Sequence, residues 1–216
     1  MDHESGPRLR KKKRRRDRLI RLSELNDEWV LGFEDEVWWS RVALPSLHGF
    51  SEKGKPLRLE QHSVAKDDPD PKAISCYGLY LPEFKETWLR FVDGRPVSAI
   101  TTQFLEWCCQ KLESMGKKVW VLVWDNASWH ISHEVREWLK EHNRGAKKSG
   151  RGVRILSCFL PTKSPWLNAI EPKWVHGKRR VVEADGLLTA HELAERVCET
   201  FDCPHYEHLS ITENVA

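Results

Sequence analysis

No apolar run in the 216 residues is longer than six, Val119 to Trp124. A membrane-spanning helix needs roughly 20, so no role inside a bilayer is expected. The basic stretch near the start runs into Leu19-Ile20-Arg21-Leu22. That segment is too short and too charged for the apolar part of a secretory signal. No Cys-x-x-Cys occurs. The six cysteines, at 76, 108, 109, 158, 198 and 203, are scattered and do not form a disulfide framework, so reduced thiols in a cytoplasmic setting are expected. Cys198, Cys203, His205 and His208 lie close in sequence, but their spacing matches no common zinc module and they read as ordinary helix-end residues. No internal repeat is present.

What is abundant is charge and tryptophan. The net charge is +3, but residues 1–21 carry ten basic and three acidic side chains, including the unbroken Lys11-Lys12-Lys13-Arg14-Arg15-Arg16. Such a block repels itself, stays solvated and attracts phosphate. Residues 1–21 therefore read as a disordered basic arm, leaving a slightly acidic body at 22–216. Eleven tryptophans suit core and sheet-face packing, with some able to stack on bases.

The body reads as α/β. Trp29–Phe33 and Val37–Trp39 look like two strands separated by the acidic break Glu34-Asp35-Glu36, with Val42–Leu44 a further strand before Pro45. Ala73–Leu81 and Trp88–Val92 follow, the latter closed by an Asp93-Gly94 turn. Ile100, Phe104, Cys108, Leu112 and Met115 recur at helical spacing, ended by Gly116. Val119–Trp124 is apolar without alternation, the mark of a central strand buried on both faces. The next helix carries Ile131, Val135, Trp138 and Leu139. A basic, glycine-rich loop is expected at 143–152, then a strand at Val153–Phe159 and a helix starting near Asn168–Pro172. Thr189 and Glu192 form a capping box for the last helix. An antiparallel start followed by βαβ units gives a mixed sheet flanked by helices.

Three acids stand out by context. Asp35 follows the first strand, Asp125 ends the most buried one, and Glu171 starts a helix after the last. Sites in open α/β sheets form at the carboxyl ends of strands. Three carboxylates gathered there would need a compensating cation, and hard oxygen donors select Mg²⁺ or Mn²⁺. Spacing alone leaves other roles open. An aspartate after a strand also serves as a turn residue, and Glu171 three residues after Asn168 also fits a helix cap.

Trp124-Asp125-Asn126-Ala127-Ser128-Trp129-His130, followed by Leu160-Pro161-Thr162-Lys163-Ser164-Pro165-Trp166-Leu167-Asn168-Ala169-Ile170-Glu171, resembles the DDE transposases. The similarity is to the bacterial insertion-sequence branch related to the mariner elements. Gly32-Phe33-Glu34-Asp35-Glu36 resembles that family's first acidic motif. The resemblance spans most of the chain, about residues 28–210. It implies a ribonuclease H-like fold with the first and fourth strands adjacent. It also implies that Asp35, Asp125 and Glu171 carry two Mg²⁺ or Mn²⁺ ions for DNA strand cleavage and transfer at insertion-sequence ends.

The resemblance has three departures. Forty-five residues separate Asp125 from Glu171, ten more than the family pattern, so 143–152 reads as an insertion. Ala169 stands where the family has proline, and Pro172 follows the acid instead. The family's preceding helix-turn-helix region has no counterpart here, so a separately encoded DNA-binding part is an expected partner, alongside DNA and a second copy of the chain. The expected location is cytoplasmic, with the nucleoid.

Other residues fit around the acids. Asn126 and Asn168 suit orienting the carboxylates or plain turn and cap roles. His130 suits a contact at the mouth of the site or a helix-end or core position. Glu36 is the substitute if Asp35 is not the acid. Lys163, Lys173, Lys178, Arg179 and Arg180 would flank the site and contact DNA phosphates, although a solvated helix face explains the last three equally. A metal-dependent nuclease that does not join ends, and a DNA-binding remnant without catalysis, are the alternative functions.

Overall fold

The computed structural model describes residues 7–42, 52–55, 63–182 and 186–211. Five strands form one sheet: β1 (Trp29–Ser40), β2 (Ala73–Leu81), β3 (Glu86–Val92), β4 (Val119–Trp124) and β5 (Arg154–Phe159). Their order is β3-β2-β1-β4-β5. β1 pairs antiparallel with β2 and parallel with β4, so the sheet changes direction at β1. The expected mixed α/β architecture is present, with the first and fourth strands side by side.

Residue parity along the strands sorts two cores. Val30, Tyr77, Trp120, Leu122 and Trp124 face α2 (Ser98–Ser114) and α3 (His133–Ser149) on the back of the sheet. Phe33, Val37, Trp39, Val121 and Val123 face the front. There α4 (Glu171–Val181) contributes Trp174 and Val181, and α5 (Ala190–Phe201) contributes Leu193, Ala194, Val197 and Cys198. Each large apolar side chain so buried contributes about 1.5–3 kcal/mol. Trp39, Trp174 and Phe201 meet edge to face, with centroids 5.5–6.2 Å apart, a geometry that aromatic quadrupoles favour. The capping box of α5 forms as expected, Thr189 accepting from the Glu192 amide. All six cysteines are free thiols.

Four expectations are corrected. Glu34-Asp35-Glu36 is not a break: β1 runs unbroken through it. The acids pair in register with Leu79, Gly78 and Tyr77 of β2, and the backbone ladder outweighs the poor strand propensity of acidic residues.

The expected disordered arm is helical from Pro7 to Glu24, as α1. Its inner side is anchored where Arg15 donates to the Ser157 carbonyl (3.1 Å) and Arg16 to the Leu167 carbonyl (3.2 Å). Leu19 and Ile20 add to the front core. Cation-to-carbonyl bonds offset part of the self-repulsion that favoured disorder.

The expected 143–152 loop is mostly the end of α3, stopped by Gly150 in the left-handed conformation (φ 69°). Lys147 and Lys148 lie in the last turn, where positive charge opposes the helix dipole. Ile131 precedes α3 and is exposed.

Arg41 and Val42 form a turn rather than a strand, and residues 43–44 of that expected strand lie outside the described residues. Among the described residues no helix is long and apolar enough to cross a membrane.

Candidate active site

β1 and β4 run parallel with Phe33 opposite Val123. The parallel pairing ends there, and Asp35 and Asp125 each stand two residues further along the chain. Asp35 is odd-numbered like the front-facing Phe33 and Val37 of β1, so it points towards α4, whose first residue is Glu171, while Asp125 follows directly on the end of β4. Pro172 sits at the second helical position, where its missing N–H costs nothing. The displaced proline therefore leaves the acid at the helix start. Asp125 and Glu171 line one open cleft of about 210 Å³, together with the Leu160–Pro165 loop and Asn168.

Asp35 lies deeper and accepts a hydrogen bond from Trp174 Nε1 at 3.0 Å. Gly78 is its cross-strand partner. A Cβ there would lie 2.2 Å from Trp174 Cη2, so the glycine is what lets the indole reach Asp35.

The three carboxyls feel one another. Burial, then the charges of Glu36 and Glu171, push the Asp35 carboxyl up to about 8. Glu171 is raised by burial and by Asp125, against the pull of Lys178. Burial also acts upward on Asp125, but bonds from His130 and from the Ala127 amide (2.8 Å) win and hold it below the ordinary carboxylate range. Asp35, Asp125 and Glu171 offer hard oxygen donors, the kind that suit a divalent cation, and Asp35 and Glu171 are raised by burial and neighbouring charge. As they stand, the three are not among the groups of described residues whose ligand atoms all lie within 4.8 Å of one another.

His130 is fully buried on the back of the sheet and reaches past the end of β4. Its Nδ1 meets Asp125 Oδ1 at 2.8 Å, and its Nε2 meets Glu36 at 3.0 Å and Glu34 at 3.4 Å. Burial alone would lower its pKa; Glu34, Glu36 and the Asp125 bond reverse that and raise it to about 11. The surrounding carboxylates favour the imidazolium form, and the ring stacks on Trp124. It belongs to the core as well as touching the site. Glu36 also accepts from Trp129 Nε1 at 2.6 Å and faces the back, so it does not replace Asp35.

Asn126 donates to the Leu160 carbonyl (2.7 Å), tying the turn after β4 to the loop after β5. Asn168 is buried and donates to the Glu34 carbonyl (2.9 Å), fastening the entry of α4 to β1. Lys163 lines the cleft in a left-handed conformation (φ 55°), a backbone state that non-glycine residues adopt at some cost. Lys178 lies within electrostatic range of Glu171. Lys173, Arg179 and Arg180 do not border the acid cleft. They line a separate groove with Lys85 and His176, and Lys173 sits over the Tyr80 ring (4.5 Å).

Two participants were missed in the sequence. Glu34 is wholly buried, with both carboxylate oxygens lacking a hydrogen bond, and its carboxyl is raised by burial and by Glu36. The one signal was its period-two relation to Glu36 on a single strand face. Trp174 carried no signal, because its role depends on the gap left by Gly78.

The sequence model of the DDE superfamily endonucleases matches residues 30–193. No curated protein matches the chain. Among solved structures, the Mos1 transposase paired-end complex with left transposon end aligns with 94% of this chain at 15% identity and a TM-score of 0.65. The pre-cleavage Mos1 transpososome aligns with 94% at 12% identity and a TM-score of 0.61. The catalytic domain of Mos1 mariner transposase aligns with 94% of this chain and 86% of its own at 15% identity and a TM-score of 0.56. The chain spans 57% of the Mos1 chain in the paired-end complex. These likenesses establish the ribonuclease H-like fold, and the family match covers more than half the sequence; the chain belongs to the DDE superfamily of endonucleases.

Proposed function

We propose that this chain is the catalytic domain of a DNA transposase, cleaving and joining strands at insertion-sequence ends. One observation carries the reading: Asp125 and Glu171 line a single cleft, with Asp35 on β1 in electrostatic range of both. Asp35, Asp125 and Glu171 would hold two Mg²⁺ or Mn²⁺ ions. When bound, such ions stabilise the charge that develops at the attacking and leaving oxygens of a phosphoryl transfer.

The chain's own residues position the parts. Trp174 fixes the Asp35 carboxyl, His130 and the Ala127 amide keep Asp125 ionised, and Asn168 holds the start of α4 against β1. Water would attack the phosphodiester at the element end, and the freed 3′-hydroxyl would then attack target DNA.

DNA would lie across the front. Lys163 stands at the cleft, and Trp166, 67% exposed beside it, offers a stacking face. Arg10, Lys11, Lys13, Arg14 and Arg18 are exposed along α1 and would take phosphates. Lys173, Arg179 and Arg180 would serve a second stretch of duplex along their own groove. A second copy of the chain for the other end, and a DNA-recognition part in this or another polypeptide, complete the assembly. The site of action is then the nucleoid.

The test is strand cleavage of element-end DNA with Mg²⁺ or Mn²⁺. Asp125→Ala should lower the rate by on the order of 10³-fold, the equivalent of several kcal/mol of lost charge stabilisation, with circular dichroism unchanged. Cleavage at the wild-type rate in that variant would overturn the reading. Joined products mark a transposase; hydrolysis alone reduces the function to a nuclease.

A further inference from the structure

On the side of α5 away from the acid cleft, three histidines and two carboxylates come together. His191 and Glu195 are four residues apart on α5 and so share one face. The chain leaves α5 through Asp202 in the left-handed conformation (φ 51°) and returns along the sheet. There Leu209 bridges to Val92 and exchanges backbone hydrogen bonds with Phe91 and Asp93. This return carries His205 to Glu195 and His208 to Asp93, both imidazoles resting on the Phe91 ring (centroids 5.4 and 5.5 Å). One ligand atom each from His191, Glu195 and His205 lies within 4.8 Å of the others.

The proton count across these contacts is informative. His205 Nδ1 bonds to the Glu195 carboxylate, which that contact holds below its ordinary range. His208 Nδ1 bonds to Asp93 at 2.7 Å. An ionised carboxylate only accepts, so each Nδ1 carries a proton. The two Nε2 atoms then face each other at 3.3 Å. With each ring's proton on Nδ1, both Nε2 atoms present only lone pairs to each other, so that contact lacks a donor.

The geometry points to a zinc site formed by His191, Glu195 and His205 Nδ1, separate from the acid cleft. A cation at His205 Nδ1 lets that ring carry its proton on Nε2 instead, which supplies the missing donor and leaves every other contact satisfied. His205 Nε2–H then donates to His208 Nε2, and His208 Nδ1–H donates to Asp93. That is the outer relay that ligating histidines ordinarily have. Two imidazoles and one carboxylate suit zinc, with a fourth position for water. Mg²⁺ and Mn²⁺ prefer the all-oxygen donors of the cleft. Ligand atoms around one tetrahedral ion lie roughly 3–4 Å apart, so modest side-chain rotation closes the set. The ion would clip the 202–209 return onto α5 and the edge of β3.

The test is zinc titration of the metal-stripped full chain in a large excess of Mg²⁺, read by competition with a chromophoric chelator and by the zinc-induced change in Tm. One equivalent should bind the wild type and raise Tm. His208→Ala, which breaks only the relay, should weaken binding roughly 10- to 100-fold. His191→Ala, at an exposed position, should weaken it at least as much and abolish the Tm shift. Asp125→Ala should bind zinc like the wild type. No uptake against Mg²⁺, equal uptake by wild type and His191→Ala, or loss in Asp125→Ala alone would each overturn the assignment.

Discussion

The front and back of the sheet around β1 both gather carboxylates, and they treat the charge in opposite ways. On the back, Glu34, Glu36 and Asp125 surround His130, a cation the chain supplies itself. On the front, among the described residues, Asp35 and Glu171 meet no comparable cation: Trp174 offers Asp35 a neutral donor, Lys178 reaches Glu171 only at a distance, and both carboxyls are pushed up. The back carries its own counter-charge in His130, although buried Glu34 keeps both oxygens without a hydrogen bond; the front has no such counter-charge among the described residues. Asp125 belongs to both, which explains why it alone of the three front acids is held low.

The largest effect should come from breaking the back. His130→Ala leaves buried Glu34 and Glu36 without their cation and should cost about 3–5 kcal/mol in urea unfolding. Glu36→Gln in that background should recover part of the loss, because it removes one of the stranded charges. If the single variant unfolds like the wild type, the histidine is not the internal counter-ion.

Next in size is a disturbance of the front that touches no acid. Gly78→Ala drives a methyl into the Trp174 ring and should cost about 1–3 kcal/mol, as overpacking does. It should also slow DNA cleavage by moving the indole off Asp35. Gly78→Ala/Trp174→Phe should regain stability without regaining cleavage, which separates packing from the Asp35 contact.

The smallest effect is expected away from both clusters. Arg41, 7% exposed, pairs with Asp68 (2.9 Å), and the bond holds the Asp68 carboxyl below its usual range. Its folded pKa is therefore under its unfolded one, so the pair stabilises fully above an unfolded value of about 3.9 and loses its contribution as pH falls through the folded value. The Tm gap between wild type and Asp68→Asn should be present at pH 7 and close as acid takes the solution down through the lowered folded value. A gap unchanged by acid would assign the effect to packing.

The central strand was legible in the sequence, and the structure brings the two acids singled out beyond it to one cleft. Six unbroken apolar residues ending in Asp125 admit few readings, and the Pro161–Glu171 segment is distinctive in its spacing. The acidic triplet of β1 was not legible, because what stabilises Glu34 within a strand is His130, 96 residues away, and local propensity carries no trace of it. The helicity of α1 was hidden for a similar reason: a run of six cations reads as solvated until the carbonyls of Ser157 and Leu167 are placed beside it. At 143–152 the glycines signalled a loop, yet Gly145 sits inside the helix at a cost of about 1 kcal/mol relative to alanine, and only Gly150 ends it. The cluster at His191, Glu195 and His205 was not legible either, because its members come from one face of α5 and from an irregular return beyond it, which no local spacing joins.

Asn168 joins the segments bearing the first and third acids through a neutral amide-to-carbonyl bond in the interior. Ionic strength screens exposed charges over about 8–10 Å and barely touches such a bond. The relative placement of Asp35 and Glu171 should therefore persist in concentrated salt, while the guanidinium-anchored grip of α1 loosens.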